Sequence, residues 1–278
     1  MKKLLYILAI IVSAILSSCS NSNCEITYSS EGSCIALGNI EGWGAEIKSH
    51  EFENGLGKIT FKGKVTSVPE SAFRGCEKLK SITLPNSITS INIGAFGLCK
   101  NLKTIKLPDN LKTIGDSAFA SCTSLNIITI PDSVTSIGMC AFLRCSSLQA
   151  FYGKYASTDH RSLIVDGVLN SFAPSGLTSY TIPTSVTSIG EKAFYKCNYL
   201  EKITIPDGVT SIGKEAFYSC DNLASVYCKA TIPPSGGADM FDYNAWNRKI
   251  YVPRESVEAY KSADGWKDYA GNIVGYDF

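Results

Sequence analysis

Residues Pro108–Ile130 read Pro-Asp-Asn-Leu-Lys-Thr-Ile-Gly-Asp-Ser-Ala-Phe-Ala-Ser-Cys-Thr-Ser-Leu-Asn-Ile-Ile-Thr-Ile, and the same string returns with small changes from Pro85, Pro131, Pro183 and Pro206. The phenylalanines carry the register: Phe73, Phe96, Phe119 and Phe142 stand 23 residues apart, as do Phe194 and Phe217. A fixed period of this length marks a stacked array, because one such unit cannot bury its own apolar face. Within a unit, the alternation Ser81-Ile82-Thr83-Leu84 reads as a short strand with Ile82 and Leu84 turned inward. Proline ends it, a second short extended piece such as Val134–Gly138 follows, and Ala141-Phe142 opens a helical or 3₁₀ turn on the other side. The predicted fold is a repeat solenoid, a curved array with a parallel β-sheet on its concave face and short helical or 3₁₀ turns on its convex side. Eight or nine rungs at roughly 4.8 Å give a sheet about 40 Å long.

Outside the array the chain divides readily. Residues 1–18 read as a targeting segment, with Lys2 and Lys3 ahead of the apolar Leu4–Leu16. That run is short beside the about 20 residues of a bilayer span. Leu16-Ser17-Ser18-Cys19 resembles the bacterial lipobox, which makes Cys19 the expected site of acylation; an ordinary secretory signal that happens to contain Cys19 is the alternative. Residues 19–55 read as a tether and N-terminal cap, 56–228 as the repeats, and 229–278 as a degenerate last rung and C-terminal cap. Ile59-Thr60-Phe61 takes the strand place of the first rung, with Leu56 in the preceding leucine place. At the far end, Arg254–Lys261 has helical character, and Trp266 and Tyr269 are placed to cover the last rung.

The period breaks once. From Phe142 to Phe194 is two units plus six residues, with a degenerate rung around Phe172 and a hairpin insertion near 152–171, its Asp166-Gly167 suited to a type I′ turn. This hairpin is either a protruding binding loop or a bulge filling space between two half-arrays.

The pattern Pro-x-Ser-Val-Thr-Ser-Ile-Gly-x-x-Ala-Phe-x-x-Cys-x-x-Leu-x-x-Ile-Thr-Ile, seen from Pro131 and Pro206, closely resembles the BspA-like, or treponemal-type, bacterial leucine-rich repeat over residues 56–253. The resemblance implies a curved solenoid on an exported, surface-exposed lipoprotein or adhesin, lipid-anchored at the bacterial envelope, with the outer membrane or cell surface as its place. It names no ligand.

Chemistry is sparse. Six of the eleven cysteines, Cys76, Cys99, Cys122, Cys145, Cys197 and Cys220, fall three residues after the phenylalanine. One thiol per rung cannot converge on a tetrahedral metal site, so the column reads as a structural ladder, with no metal. Cys140 sits at an outward place as a candidate exposed thiol, Cys228 at an inward strand place, and Cys24 and Cys34 are close enough in sequence to be bridged or to remain free. Of the two histidines, His50 falls in the N-terminal cap and His160 in the insertion; Asp159-His160 with Ser162 only superficially suggests a triad, and His160 reads as a surface-loop residue. No cofactor motif is present, and catalysis is not expected. Removing Lys2 and Lys3 from the 26 basic residues leaves 24 against 25 acidic ones, a net charge of −1 with no basic patch, which gives nucleic acid no purchase.

What remains is a binding surface or a passive envelope scaffold. Each strand exposes one central residue, giving the column Thr60, Thr83, Lys106, Thr129, Tyr152, Thr181, Thr204, Tyr227 and Tyr251. Threonine suits a strand surface without further reason. The candidate ligand contacts are therefore Tyr152, Tyr227 and Tyr251, with Lys202 and Lys249 in the adjoining column, and the weight falls on the C-terminal half. A host or cell-surface protein or glycan is the expected partner, and contact with a membrane runs through the N-terminal lipid only.

Overall fold

A computed structural model describes residues 24–33 and 41–278. The targeting segment, Cys19 and Cys34 lie outside the described residues. The chain forms a β-solenoid whose rungs are joined by three parallel ladders. The first is the concave sheet, in which each strand lies beside the strand one repeat on: Thr83 beside Lys106, Thr129 beside Tyr152, Thr181 beside Thr204, and Thr204, Tyr227 and Tyr251 in succession. The second joins the two-residue strands, Ser67–Val68 to Ser90–Ile91 and onward through Ser136–Ile137. It resumes from Ser188–Ile189 to Ser235–Gly236. The third runs along the convex side, where the N–H of a phenylalanine donates to the carbonyl of the residue before the next one: Phe73 to Ala95, Phe96 to Ala118 and Phe119 to Ala141, all at 2.8 Å.

The convex segments are turns, not the helical or 3₁₀ turns expected. Two residues in each rung, one two places before the phenylalanine and one two places after, have positive φ: Ser117 and Ser121, Cys140 and Arg144, Lys192 and Lys196, Glu215 and Ser219. A left-handed residue every fourth position ends any right-handed run, at a cost of roughly 1–2 kcal/mol each for a side-chain-bearing residue. The conformation turns alternate N–H groups along the array axis, and the bonds made to the next rung offset that cost. Among the described residues, helical segments occur only in the C-terminal cap: 3₁₀ turns over Arg254–Ser256 and Lys267–Asn272, and helix α1 over Val257–Ser262.

Inside, the rings of Phe73, Phe96, Phe119 and Phe142 stack at 5.2, 5.2 and 5.3 Å between centroids. Phe194, Phe217 and Phe241 form a second stack at 4.8 and 5.2 Å. Each full burial is worth about 1.5–3 kcal/mol, with a further 0.5–1.5 for a well-placed aromatic pair. Beneath the turns, thiols donate to the carbonyl of the preceding phenylalanine: Cys99 to Phe73, Cys122 to Phe96, Cys145 to Phe119 and Cys220 to Phe194, at 3.0–3.2 Å. Cys76 at the head of the column is half-buried.

The first rung is not built as the repeat pattern suggests. Strand β1, Glu25–Ser30, lies antiparallel against Leu79–Thr83 and fills the concave edge, placing Thr27 beside Thr83. Strand β2, Ile47–Glu53, and strand β3, Leu56–Phe61, add outside it, antiparallel throughout. Ile59-Thr60-Phe61 therefore belongs to the cap and Thr60 leaves the concave column, while Leu56 is exposed. The reversed β1 pairs with the first repeat strand and covers the edge that the array would otherwise leave open, and β3 and β2 carry the free edge two strands further from the repeats. Trp43 closes the interior, edge-on to Phe73 at 5.9 Å.

The insertion is built into the array. Ser162–Val165 and Val168–Phe172 form the hairpin, and its second strand pairs in parallel with Ser188–Ile189. Leu163 is buried in the first core and Leu169 in the second. The array is thus two half-arrays with separate cores, bridged by this hairpin.

Candidate functional site

The C-terminal end of the concave face gathers an aromatic cluster. Strands here are Lys202–Ile205, Ser225–Cys228 and Lys249–Pro253. Alternation turns Val226, Cys228, Ile250 and Val252 inward and leaves Tyr227 and Tyr251 on the open face. Parallel register puts these two rings face to face, 4.6 Å apart and tilted by 15°. That separation is the strand spacing itself, so the stack is imposed by the sheet and loses little freedom on binding. Lys202 sits in register with Ser225, and Ser225 with Lys249. The Lys202 Nζ lies 4.6 Å from the Tyr227 ring centroid, within the range of a cation–π contact. Both lysines are exposed.

Two further aromatics were not found from the repeats. After the cap helix, Ile273–Tyr276 returns as a last strand, parallel to Lys249–Pro253. It brings the Tyr276 ring edge-on to Tyr227 and Tyr251, at 5.3 and 5.5 Å, and Phe278 to 5.1 Å from Tyr276. Tyr276 and Phe278 are both substantially exposed. The signal was the short apolar run Ile273-Val274-Gly275-Tyr276, but nothing in the run says which strand it joins. The result is an aromatic corner: two stacked tyrosines, two edge-on rings beside them, and two lysines. It offers flat apolar area with hydroxyl and ammonium tips, the chemistry that takes sugar rings or protein side chains.

Tyr152 is not part of this cluster. It stands on Ala150–Gly153 in the first half-array, and its ring packs 4.5 Å from His160. The Asp159-His160-Ser162 grouping has no triad geometry: Asp159 accepts from Ser157 and the Arg161 N–H, and Ser162 pairs with the Tyr180 hydroxyl. His50 lies on β2 of the N-terminal cap, bonded to the Tyr28 hydroxyl at 2.7 Å, and burial lowers its imidazole below the ordinary value. Cys140 is half-buried rather than exposed, and burial pushes its thiol up. Cys228 is fully buried against the Tyr260 hydroxyl, with its thiol pushed up to about 11 by burial. Among the described residues, no group of acidic, histidine or cysteine side chains could hold a metal ion, and no helix is long and apolar enough to cross a membrane.

Comparison with solved structures returns bacterial leucine-rich-repeat proteins. A leucine-rich cell surface protein from Faecalibacterium prausnitzii is 21% identical, with a TM-score of 0.48 over 77% of each chain. A leucine-rich repeat protein from Eubacterium ventriosum is 21% identical, with a TM-score of 0.49 over 69% of this chain and 64% of that one. The leucine-rich repeat protein of T. pallidum is 23% identical, with a TM-score of 0.35 over 71% of this chain and 85% of its own. No curated protein matches the chain. Proteins built of this repeat generally bind or scaffold, and no catalytic family is indicated. The family model for the BspA type leucine rich repeat region matches in six copies over residues 44–156 and 169–262, and the interval it skips contains the first hairpin strand and the turn. The chain belongs to the BspA-type leucine-rich-repeat family.

Proposed function

We propose that the protein is a non-catalytic, surface-exposed binding protein, held at the bacterial envelope by acylation of Cys19, that docks a protein or glycan on the C-terminal half of its concave face. The observation that supports this reading is the aromatic corner, with Tyr227 stacked on Tyr251 and Lys202 over the ring. Tyr276 and Phe278 extend it, and Lys249 flanks it. A second reading, a passive scaffold that spaces other envelope components, draws on the rest of the column, where Thr83, Thr129, Thr181 and Thr204 offer nothing beyond a strand surface. Residues 20–278, unlipidated, presented to immobilised matrix proteins and a glycan array decide between them. For a captured ligand, Tyr227→Ala and Tyr251→Ala each weaken binding by about 1–2 kcal/mol with circular dichroism unchanged. Unchanged affinity in the double variant moves the site off this face. Mass spectrometry of the mature N-terminus tests the anchor: a diacylglyceryl Cys19 supports it, and an unmodified Cys19 or cleavage elsewhere removes it.

A further inference from the structure

The convex ladder has a gap, and both edges of the gap are open. In a regular rung three N–H groups donate to the next rung: Ser117, Phe119 and Ser121 to Met139, Ala141 and Leu143, at 2.7–2.9 Å. One rung on, the N–H groups of Cys140, Phe142 and Arg144 hold the same three places, and no acceptor among the described residues receives them. Across the gap, the carbonyls of Glu191, Ala193 and Tyr195 hold the acceptor places and no described donor reaches them. The cause lies in the intervening rung. Ile189 to Lys202 is thirteen steps, but their register partners Leu169 and Ser179 are only ten apart. The chain drops three residues and crosses directly through Phe172 and Pro174, omitting the convex turn. In its place is a cleft of about 200 Å³ bordered by both open edges.

We propose that this cleft is a slot for a short stretch of another protein's polypeptide, with small side chains toward Phe172 and an acidic residue beside them, whose main chain completes the interrupted ladder. Open ladder edges are the places where incoming chains pair. Donors on one wall and acceptors on the other suit a main chain that takes up the alternating right- and left-handed conformation of the convex turns, with its carbonyls toward one wall and its N–H groups toward the other; an anion would satisfy one wall only. Phe172 is buried and packs 4.6 Å from Phe194, so the place of the phenylalanine column is already filled and a large inward side chain has no room. The volume also falls below the about 300–1,000 Å³ of small-molecule sites. The preference for acid comes from the rim. Lys192 is neutralised by Glu191 and Glu215, whereas Arg144 and Lys196 have no carboxylate partner among the described residues. This slot is on the opposite side of the array from the aromatic corner and does not depend on it.

Hydrogen exchange of the full chain in detergent, read at single residues, tests the proposal with acetyl-Gly-Asp-Gly-Ala-Gly-amide as probe. In the free protein the amides of Cys140, Phe142 and Arg144 exchange at least tenfold faster than those of Ser117, Phe119 and Ser121. Millimolar peptide slows the first three at least fivefold and leaves the others unchanged. N-methylation of the central peptide amides abolishes the effect, and Arg144→Ala with Lys196→Ala weakens it several-fold without changing the free-state pattern. Equal protection of the two sets of amides in the free protein overturns the proposal, as does a peptide that leaves them unmoved. Protection by acetate alone overturns it in favour of an anion site.

Discussion

The two half-arrays use the same repeat and finish it differently. At the end of the second, Tyr269 and Trp266 pack over Phe241, at 5.7 and 5.9 Å, and the Tyr269 hydroxyl accepts the Phe241 N–H that would otherwise point to a missing rung. The same hydroxyl donates to Asp242, and the Trp266 indole N–H donates to the Pro234 carbonyl. The end of the first half-array has no such closure: the N–H of Phe142 occupies the same repeat place and faces the cleft. The C-terminal cap therefore supplies a substitute for the central, buried partner of the lost rung, and a hairpin that buries apolar surface on both sides supplies none to Phe142. Leu163 and Leu169 join the cores, yet the convex polar groups stay open.

The strongest test of this comparison is to break the cores one at a time. Phe119→Ala and Phe217→Ala should each cost about 3–5 kcal/mol. Because the cores are separate, exchange protection should fall mainly in residues 65–156 for the first and 180–276 for the second. A uniform loss across the chain from either variant would mean that the hairpin couples the halves fully.

A smaller change probes the cap. Tyr269→Phe keeps the ring and removes the hydroxyl, leaving the buried Phe241 N–H unsatisfied at a cost of about 1–3 kcal/mol. Exchange at Phe241 should then rise toward the rate at Phe142. If it does not, the hydroxyl is incidental to the closure.

The thiol column sharpens the contrast further. Cys122→Ala removes a small buried group and its bond to the Phe96 carbonyl, for about 1 kcal/mol. Cys197 opens the second half-array and has no preceding convex phenylalanine turn beneath it, so Cys197→Ala should lower the melting temperature less. Peptide mapping without reduction should find Cys99 and Cys122 unbridged; a Cys99–Cys122 disulfide in most molecules would refute the thiol ladder.

The smallest effect concerns the N-terminal cap and pH. His50 has its imidazole lowered by burial, so the folded cap favours the neutral form. The unfolded chain then binds more protons below about pH 6.5, and the contribution is present above that value and lost as pH falls toward the lowered folded pKa. Exchange protection in β1–β3 should weaken between pH 7 and pH 5, and His50→Phe should flatten that dependence. The second half-array, with no histidine, serves as the internal control.

Most of the regular array was legible in residues 56–253. Thr83 with Lys106, Thr129 with Tyr152, and Thr181 through Thr204 and Tyr227 to Tyr251 are in register, because a 23-residue period leaves each side chain one place to go. The convex side was misread because Ala-Phe beside a leucine suggests a helical turn, while the left-handed conformations of Ser117 and Ser121 are imposed by hydrogen bonds to another rung. The N-terminal edge was misread because Ile59-Thr60-Phe61 matches the repeat locally and even runs in its direction, while β1, which carries no repeat marker, takes the place beside the first repeat strand.

By itself the sequence determined the period, the stacked phenylalanines, the inward and outward faces of each strand and the tyrosines on the concave surface. Each of these follows from local alternation repeated at a constant interval. Only the tertiary structure decided how the array begins, breaks and ends. Strand β1 slips between β3 and the first repeat, Ile273–Tyr276 carries two more aromatics to Tyr227 and Tyr251, and a rung three residues short leaves an open cleft. All three depend on which main-chain groups find partners far away in the chain, and that information is not carried by any repeat unit alone.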